Sequence, residues 1–89
     1  MKLEGQVAII TGAAKGMGTA ITRALAEEGA RLTLAARQLE PLEELASSLR
    51  EAGHQAQALS IDVSDEVQVQ TMVEQTLDLY GGRIDVLVN

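Results

Sequence analysis

A loop that contains three glycines and one lysine follows the first apolar run of the chain. The segment VAIITGAAKGMG places four apolar residues, 7–10, before Gly12, Gly16 and Gly18, with Lys15 inside the loop. Backbone N–H groups of such a loop, and of the first turn of the helix after it, have no acceptor within the helix and attract anions. Gly12 would permit the sharp turn, Gly16 the approach of a phosphate to the backbone, and Gly18 close packing of the helix. The loop predicts a phosphate site, and a ligand-free connection is the alternative reading.

Short apolar runs alternate with helical patterns from one end of the sequence to the other. Strands are predicted at residues 7–10, 31–36, 56–61 and 84–89. Each helix between them is predicted from apolar residues spaced three and four apart. The inward faces would be Met17, Ala20, Ile21, Ala24 and Leu25 in the first helix, Leu42, Leu45, Ala46 and Leu49 in the second, and Val69, Met72, Val73, Thr76, Leu77 and Tyr80 in the third.

The predicted helices have recognisable ends. Glycines follow all three helices, at Gly29, Gly53 and Gly81. Pro41 fits the first turn of the second helix, and Ser64 is the predicted N-cap of the third.

The alternation of strands and helices determines the expected fold class. Parallel strands are joined by crossovers that are usually helical and right-handed. The prediction is an α/β fold in which a doubly wound parallel sheet carries helices on both faces, with strand order 3-2-1-4. Residues 1–89 would form one partial domain, a βαβαβαβ portion that is truncated after the fourth strand.

Composition excludes several classes of partner. Thirteen acidic and seven scattered basic residues give a net charge of −6, which argues against a nucleic acid or an anionic membrane as a partner. The chain has no cysteine, no apolar stretch long enough for a membrane span and no apolar core of a signal peptide. A cytoplasmic location is the resulting expectation.

Four features in order resemble the short-chain dehydrogenase/reductase family. They are the spacing Thr-Gly-x-x-x-Gly-x-Gly in TGAAKGMG, an Asp-Val pair after the third strand, the DVLVN that resembles the family's fourth strand, and the Asn89 at which that strand would lead into the family's Asn-Asn-Ala-Gly motif. The resemblance implies a Rossmann fold and a dinucleotide cofactor. It assigns the pyrophosphate to Gly12, Gly16 and Gly18, the adenine amino group to Asp62, the adenine ring to Val63, and the adenosine ribose to Asn89. Ala14, Lys15 and Met17 of the same loop are also predicted to bind the cofactor.

The residue at the end of the second strand bears on the choice between NADP and NAD. An NAD enzyme usually carries an acidic side chain there, whereas this chain has Ala36 followed by Arg37. The positions of Arg37 and Lys15 resemble those at which NADP-dependent members of the family carry a base. A 2′-phosphate is expected to face these two cations and no carboxylate, so NADP is predicted in preference to NAD.

The catalytic residues that the resemblance implies, a serine and a Tyr-x-x-x-Lys pair, are not found in these 89 residues. Tyr80 is the single tyrosine, no lysine follows it by four positions, and core packing is its expected role. The sequence therefore resembles the cofactor-binding part of an oxidoreductase that exchanges a hydride between nicotinamide and a small carbonyl or alcohol substrate, in a parent that is expected to be a homo-oligomer. The alternatives are a non-catalytic NADP-binding or sensor module and an interaction domain without a ligand.

Overall fold

The computed structural model describes residues 2–89, in which strands and helices alternate as predicted. The elements are β1 (Val7–Thr11), α1 (Gly16–Glu27), β2 (Arg31–Ala36), α2 (Leu39–Glu51), β3 (Ala56–Ser60), α3 (Glu66–Leu79) and β4 (Val86–Val88). The predicted fourth strand is shortened at both ends. Within residues 2–89, no helix combines the length and the apolar character that crossing a bilayer requires.

The four strands form one parallel sheet in the order β3-β2-β1-β4. Val7 of β1 is in register with Arg31 of β2, and Ala8 with Val86 of β4. This order confirms the predicted fold class and the predicted strand arrangement. The carboxyl ends of the strands meet at one edge of the sheet, which is where doubly wound folds bind ligands.

The two faces of the sheet are covered by different helices. Ile10, Leu32 and Leu34 belong to the apolar cluster that includes the buried face of α2 and Ala26 of α1. Ile9 and Ala35 belong to the cluster that includes Met72 of α3. The sheet is therefore buried on both sides, which explains why β1 is an unbroken apolar run. The predicted inward face of α2 is confirmed, since its four residues are all buried.

The predicted inward face of α1 is correct only in part, since Ile21 and Leu25 are half-buried and Leu25 packs against the core. Met17 is 78% exposed, and Ala20 and Ala24 are also exposed, whereas Thr22 and Ala26 are fully buried. Thr22 tolerates burial because its hydroxyl donates to the Gly18 carbonyl within the same helix, at 2.7 Å. The fully buried positions of α1 carry small side chains because the helix packs closely against the sheet.

The N-cap of α3 is Asp65 and not Ser64. The Asp65 carboxylate accepts from the backbone N–H groups of Val67 and Gln68, at 2.9 and 3.2 Å. Ser64 instead donates to Asp62 through its backbone N–H and its hydroxyl. The longer Asp65 side chain stands directly before the helix, where it reaches two free donors of the first turn.

Polar contacts fix α3 to the sheet in addition to apolar packing. Tyr80 is buried, as predicted, and its hydroxyl donates to the Leu32 carbonyl at 2.7 Å. The Thr76 hydroxyl bonds to the Met72 carbonyl and to the Thr33 hydroxyl, at 2.8 Å in each case. The Thr76 hydroxyl has one hydrogen and donates it to Met72, so in the bond between the two threonines Thr33 is the donor and Thr76 the acceptor.

Candidate functional site

The glycine loop leaves β1 at the carboxyl edge of the sheet. Gly12 has φ +65° and Gly16 has φ +42°, both in the left-handed region that side chains disfavour. A Cβ at Gly16 would meet no protein atom within 4 Å, so this face of the backbone is open to a ligand. The Gly12 N–H donates to the Ala35 carbonyl at 2.9 Å and ties the loop to β2.

Gly18 brings the first turn of α1 against the start of the same loop. A Cβ built at Gly18 would lie 2.2 Å from the Gly12 carbonyl oxygen and 3.1 Å from the Ala13 Cα. The neighbouring Thr19 hydroxyl donates to the Ala13 carbonyl at 2.8 Å. The close packing expected at Gly18 is therefore present, and its immediate partner is the loop backbone.

The N-terminus of α1 carries free backbone donors. Within residues 2–89, no acceptor bonds to the N–H groups of Gly16 and Met17. Lys15 is the N-cap residue with an extended backbone, its side chain makes no capping bond, and the first turn contains no acidic residue. Free N–H groups, the helix dipole and the Lys15 ammonium all favour an anion at this point.

A cavity of about 710 Å³ lies beside the loop, at the ends of β1, β2 and β3. It is lined by six of the residues that the sequence predicted for the site: Gly12, Ala14, Lys15, Arg37, Val63 and Asn89. The remaining walls include Pro41 and Ile61, which are apolar and can pack on a planar ring. One compartment thus joins an apolar surface to two cationic side chains.

Four predicted residues are not among those that line this cavity. Met17 points to solvent and Gly18 contacts the loop backbone. Gly16 offers its open backbone face at the helix start, and Asp62 contacts Arg37. The structure therefore assembles most of the predicted set but gives Met17 and Gly18 no part of the cavity wall.

Arg37 and Asp62 form an ion pair across the ends of β2 and β3. The Arg37 Nη2 lies 3.2 Å from the Asp62 Oδ2. Hydrogen bonds from Ser64, and to a lesser degree the Arg37 guanidinium, hold the pKa of Asp62 below its ordinary value, so this carboxylate is ionised at neutral pH. The prediction that a 2′-phosphate would face two cations and no carboxylate is therefore wrong at Arg37, because Asp62 lies beside this cation after the end of β3.

The end of β4 is joined to the end of β1 by Thr11. Its hydroxyl lies 3.2 Å from both the Val88 carbonyl and the Asn89 Oδ1. This contact places the Asn89 side chain at the cavity wall. At the other end of the strand, the Asp85 carboxylate accepts from the Val7 N–H at 2.8 Å and fixes the pairing of β4 with β1.

Sequence reasoning missed the contributions of Thr11, Pro41 and Ile61 to the site. Pro41 was interpreted only as a helix-start residue, and Ile61 only as part of a strand. Ile61 directly follows β3, and Pro41 lies in the first turn of the helix after β2. These positions are the signal that could have identified them, since ligands of doubly wound folds lie outside the carboxyl ends of strands.

Comparison with known proteins gives one consistent result. A sequence model of the short chain dehydrogenase family matches residues 6–89. An uncharacterized oxidoreductase of Thermotoga maritima is 42% identical over 87 residues, which are 98% of this chain and 34% of that protein. The crystal structure of a metagenomic short-chain oxidoreductase in complex with NADP has a TM-score of 0.89 at 38% identity, over 98% of this chain and 39% of that one.

A second solved structure has a different cofactor. A short chain dehydrogenase/reductase from Burkholderia phymatum in complex with NAD has a TM-score of 0.91 at 33% identity, over 98% of this chain and 31% of that one. The chain thus spans between 31% and 39% of the length of these three proteins. Because the family model covers nearly the whole chain, the chain belongs to the short-chain dehydrogenase/reductase family, of which it represents the N-terminal portion.

Proposed function

We propose that residues 1–89 form the cofactor-binding part of an NADP-dependent short-chain oxidoreductase. The observation that carries this proposal is the pair of cations at one cavity, which Lys15 and Arg37 both line. Ala36 occupies the position at which an acidic side chain would select NAD. The solved relatives include an NADP complex and an NAD complex, so membership of the family leaves the choice between the two cofactors to these side chains.

The loop fits the pyrophosphate of a dinucleotide. The unpaired N–H groups of Gly16 and Met17 would donate to phosphate oxygens, and the open face at Gly16 would admit them to hydrogen-bond distance. Through its backbone, Met17 can contribute although its side chain is exposed. Gly18 would act indirectly, by holding the loop in place.

The cavity walls fit the adenosine half of the cofactor. Val63 and Ile61 are apolar surfaces for the adenine ring, and an Asp62 carboxylate oxygen would accept from its amino group. Asn89, fixed by Thr11, would contact the ribose. A 2′-phosphate would then lie toward Lys15 and Arg37, where each charge-assisted hydrogen bond is expected to be worth about tenfold in affinity or more.

The whole protein would exchange a hydride with a carbonyl or alcohol substrate. Bound NADP supplies this hydride chemistry. Tyr80 is unsuited to proton transfer because it is buried and its hydroxyl already donates to the Leu32 carbonyl. Residues 1–89 would therefore bind and orient the cofactor, and the serine and Tyr-x-x-x-Lys pair of the family would lie outside them.

The test uses the full-length protein and isothermal titration calorimetry. NADP⁺ is expected to bind at least about tenfold more tightly than NAD⁺, and 2′,5′-ADP more tightly than 5′-ADP. The adenosine fragments isolate the part of the site that this chain supplies. Equal affinity for the two members of each pair would refute the NADP assignment. NADP⁺ binding without turnover of any carbonyl by NADPH would favour the sensor alternative.

A further inference from the structure

Arg37, the proposed ligand of the 2′-phosphate, is already bound to a carboxylate of the same site. Its guanidinium contacts the Asp62 Oδ2 at 3.2 Å. The Arg37 side chain, which lines the cavity, is 75% exposed, and that of Asp62 is 37% exposed, so water and a ligand can reach the pair. A phosphate at the 2′ position would have to compete with this carboxylate.

The two partners are not equally free to move. Ser64 donates twice to the Asp62 Oδ1, at 2.9 and 2.6 Å, and the Asp62 N–H donates to the Gln68 Oε1 at 2.7 Å. The Arg37 backbone is held too, because the Ser60 hydroxyl donates to its carbonyl at 2.8 Å. The Arg37 side chain, however, makes no other hydrogen bond within residues 2–89. Asp62 is thus the fixed partner, and the guanidinium is the one that can be withdrawn.

We propose that Asp62 sets the strength of cofactor selection by holding Arg37, in competition with the 2′-phosphate. This inference rests on the proposed function. The ion pair would stabilise Arg37 away from its phosphate-binding position in the free protein, so the bond to Asp62 must break before Arg37 can bind a 2′-phosphate. NAD⁺ carries no group that needs Arg37, so the ion pair lowers the affinity for NADP⁺ selectively.

The Asp62→Asn variant tests this competition with little change in shape. Its Oδ1 can still accept from Ser64 or from an adenine amino group, but the negative charge that holds Arg37 is removed. Exposed ion pairs of this kind correspond to about two- to fivefold in an equilibrium constant. The ratio of the dissociation constants of NAD⁺ and NADP⁺ is therefore expected to rise about two- to fivefold. Glu74→Gln, an equal change in net charge on an exposed residue of α3, is the matched control and should leave the ratio unchanged.

A double-mutant cycle with Arg37→Met separates the proposed mechanism from simple repulsion of the phosphate. The increase caused by Asp62→Asn should disappear in the Arg37→Met background, because no guanidinium remains to be released. An unchanged ratio in Asp62→Asn, or an increase that persists with Arg37→Met, would overturn the inference. A wild-type protein that does not prefer NADP⁺ would refute the proposed function instead.

Nuclear magnetic resonance of the free full-length protein tests the ion pair independently of cofactor affinity. The Arg37 Nε–Hε signal, assigned by its loss in Arg37→Met, should show restricted motion in the wild type and greater motion in Asp62→Asn. This measurement remains decisive if Asp62→Asn weakens both cofactors below detection. Equal mobility of the Arg37 side chain in the two proteins would contradict the proposed competition.

Discussion

Substitution of Gly18 by alanine tests how the loop is positioned. In an ordinary helix, Gly→Ala stabilises by about 1 kcal/mol. Here the new Cβ would lie 2.2 Å from the Gly12 carbonyl oxygen, whereas carbon and carbonyl oxygen normally approach to about 3.3 Å. The backbone of α1 or of the loop must therefore move by about 1 Å, since neither contacting group is a flexible side chain.

The expected magnitude follows from this displacement. Overpacking of a well-packed site costs about 1–3 kcal/mol, which in a protein of family size lowers Tm by about 2–4 °C per kcal/mol. The same movement would displace the free N–H groups of Gly16 and Met17, and the loss of one charge-assisted hydrogen bond would weaken NADP⁺ binding by about tenfold or more.

Two measurements on the full-length protein check the Gly18→Ala prediction. Thermal unfolding without cofactor reports the packing cost, and calorimetric titration with NADP⁺ reports the position of the loop. Ala24→Gly, on the exposed side of α1, is the control: it should lower stability by about 1 kcal/mol and leave the affinity for NADP⁺ unchanged. A Gly18→Ala protein that is more stable than the wild type and binds NADP⁺ with the same affinity would refute the reasoning.

Three further predictions concern selectivity, the buried threonine pair and the isolated chain. Ala36→Asp combined with Arg37→Ala should shift the ratio of kcat/KM values from NADPH toward NADH, and an unchanged ratio would remove both positions from the selectivity site. Thr76→Val should lower the free energy of unfolding, measured by chemical denaturation, by about 1–3 kcal/mol because the Thr33 hydroxyl loses its acceptor. The Thr33→Val/Thr76→Val double variant should recover part of that loss. Simple additivity of the two substitutions would contradict the coupling. The 89-residue chain expressed by itself should self-associate in size-exclusion chromatography, because β4 is an edge strand with Leu87 62% exposed. It should also be inactive with NADPH and a ketone, because the serine and the Tyr-x-x-x-Lys pair of the family are not among its residues. A monodisperse monomer that oxidises NADPH would show that the catalytic residues were misassigned.

The amino-acid sequence was sufficient for the parts of the protein that depend on local pattern. Residues 31–36 were predicted as a strand with the observed bounds, and the buried face of α2 was correct residue by residue. The positive φ values at Gly12 and Gly16 agree with the conformational freedom that their spacing implied. Such features are local, because burial periodicity and backbone sterics act within a few residues of the chain.

The rotation of α1 and the pairing of Arg37 depended on tertiary structure. The apolar pattern of α1 pointed to Met17 and Ala20, but contact between Gly18 and Gly12 turns Thr22 and Ala26 toward the sheet. Helical periodicity predicts which residues share one apolar face of the helix. Which face packs against the sheet depends on how closely the two backbones can approach.

The carboxylate beside Arg37 could not be inferred from the end of β2 alone. Asp62 is distant from Arg37 in sequence and becomes its neighbour because β3 lies next to β2 in the parallel sheet. The motifs therefore predicted candidate ligand-binding residues one strand at a time. Which of their charged side chains pair with each other depends on strand order, because the interaction between charges depends on their distance in space.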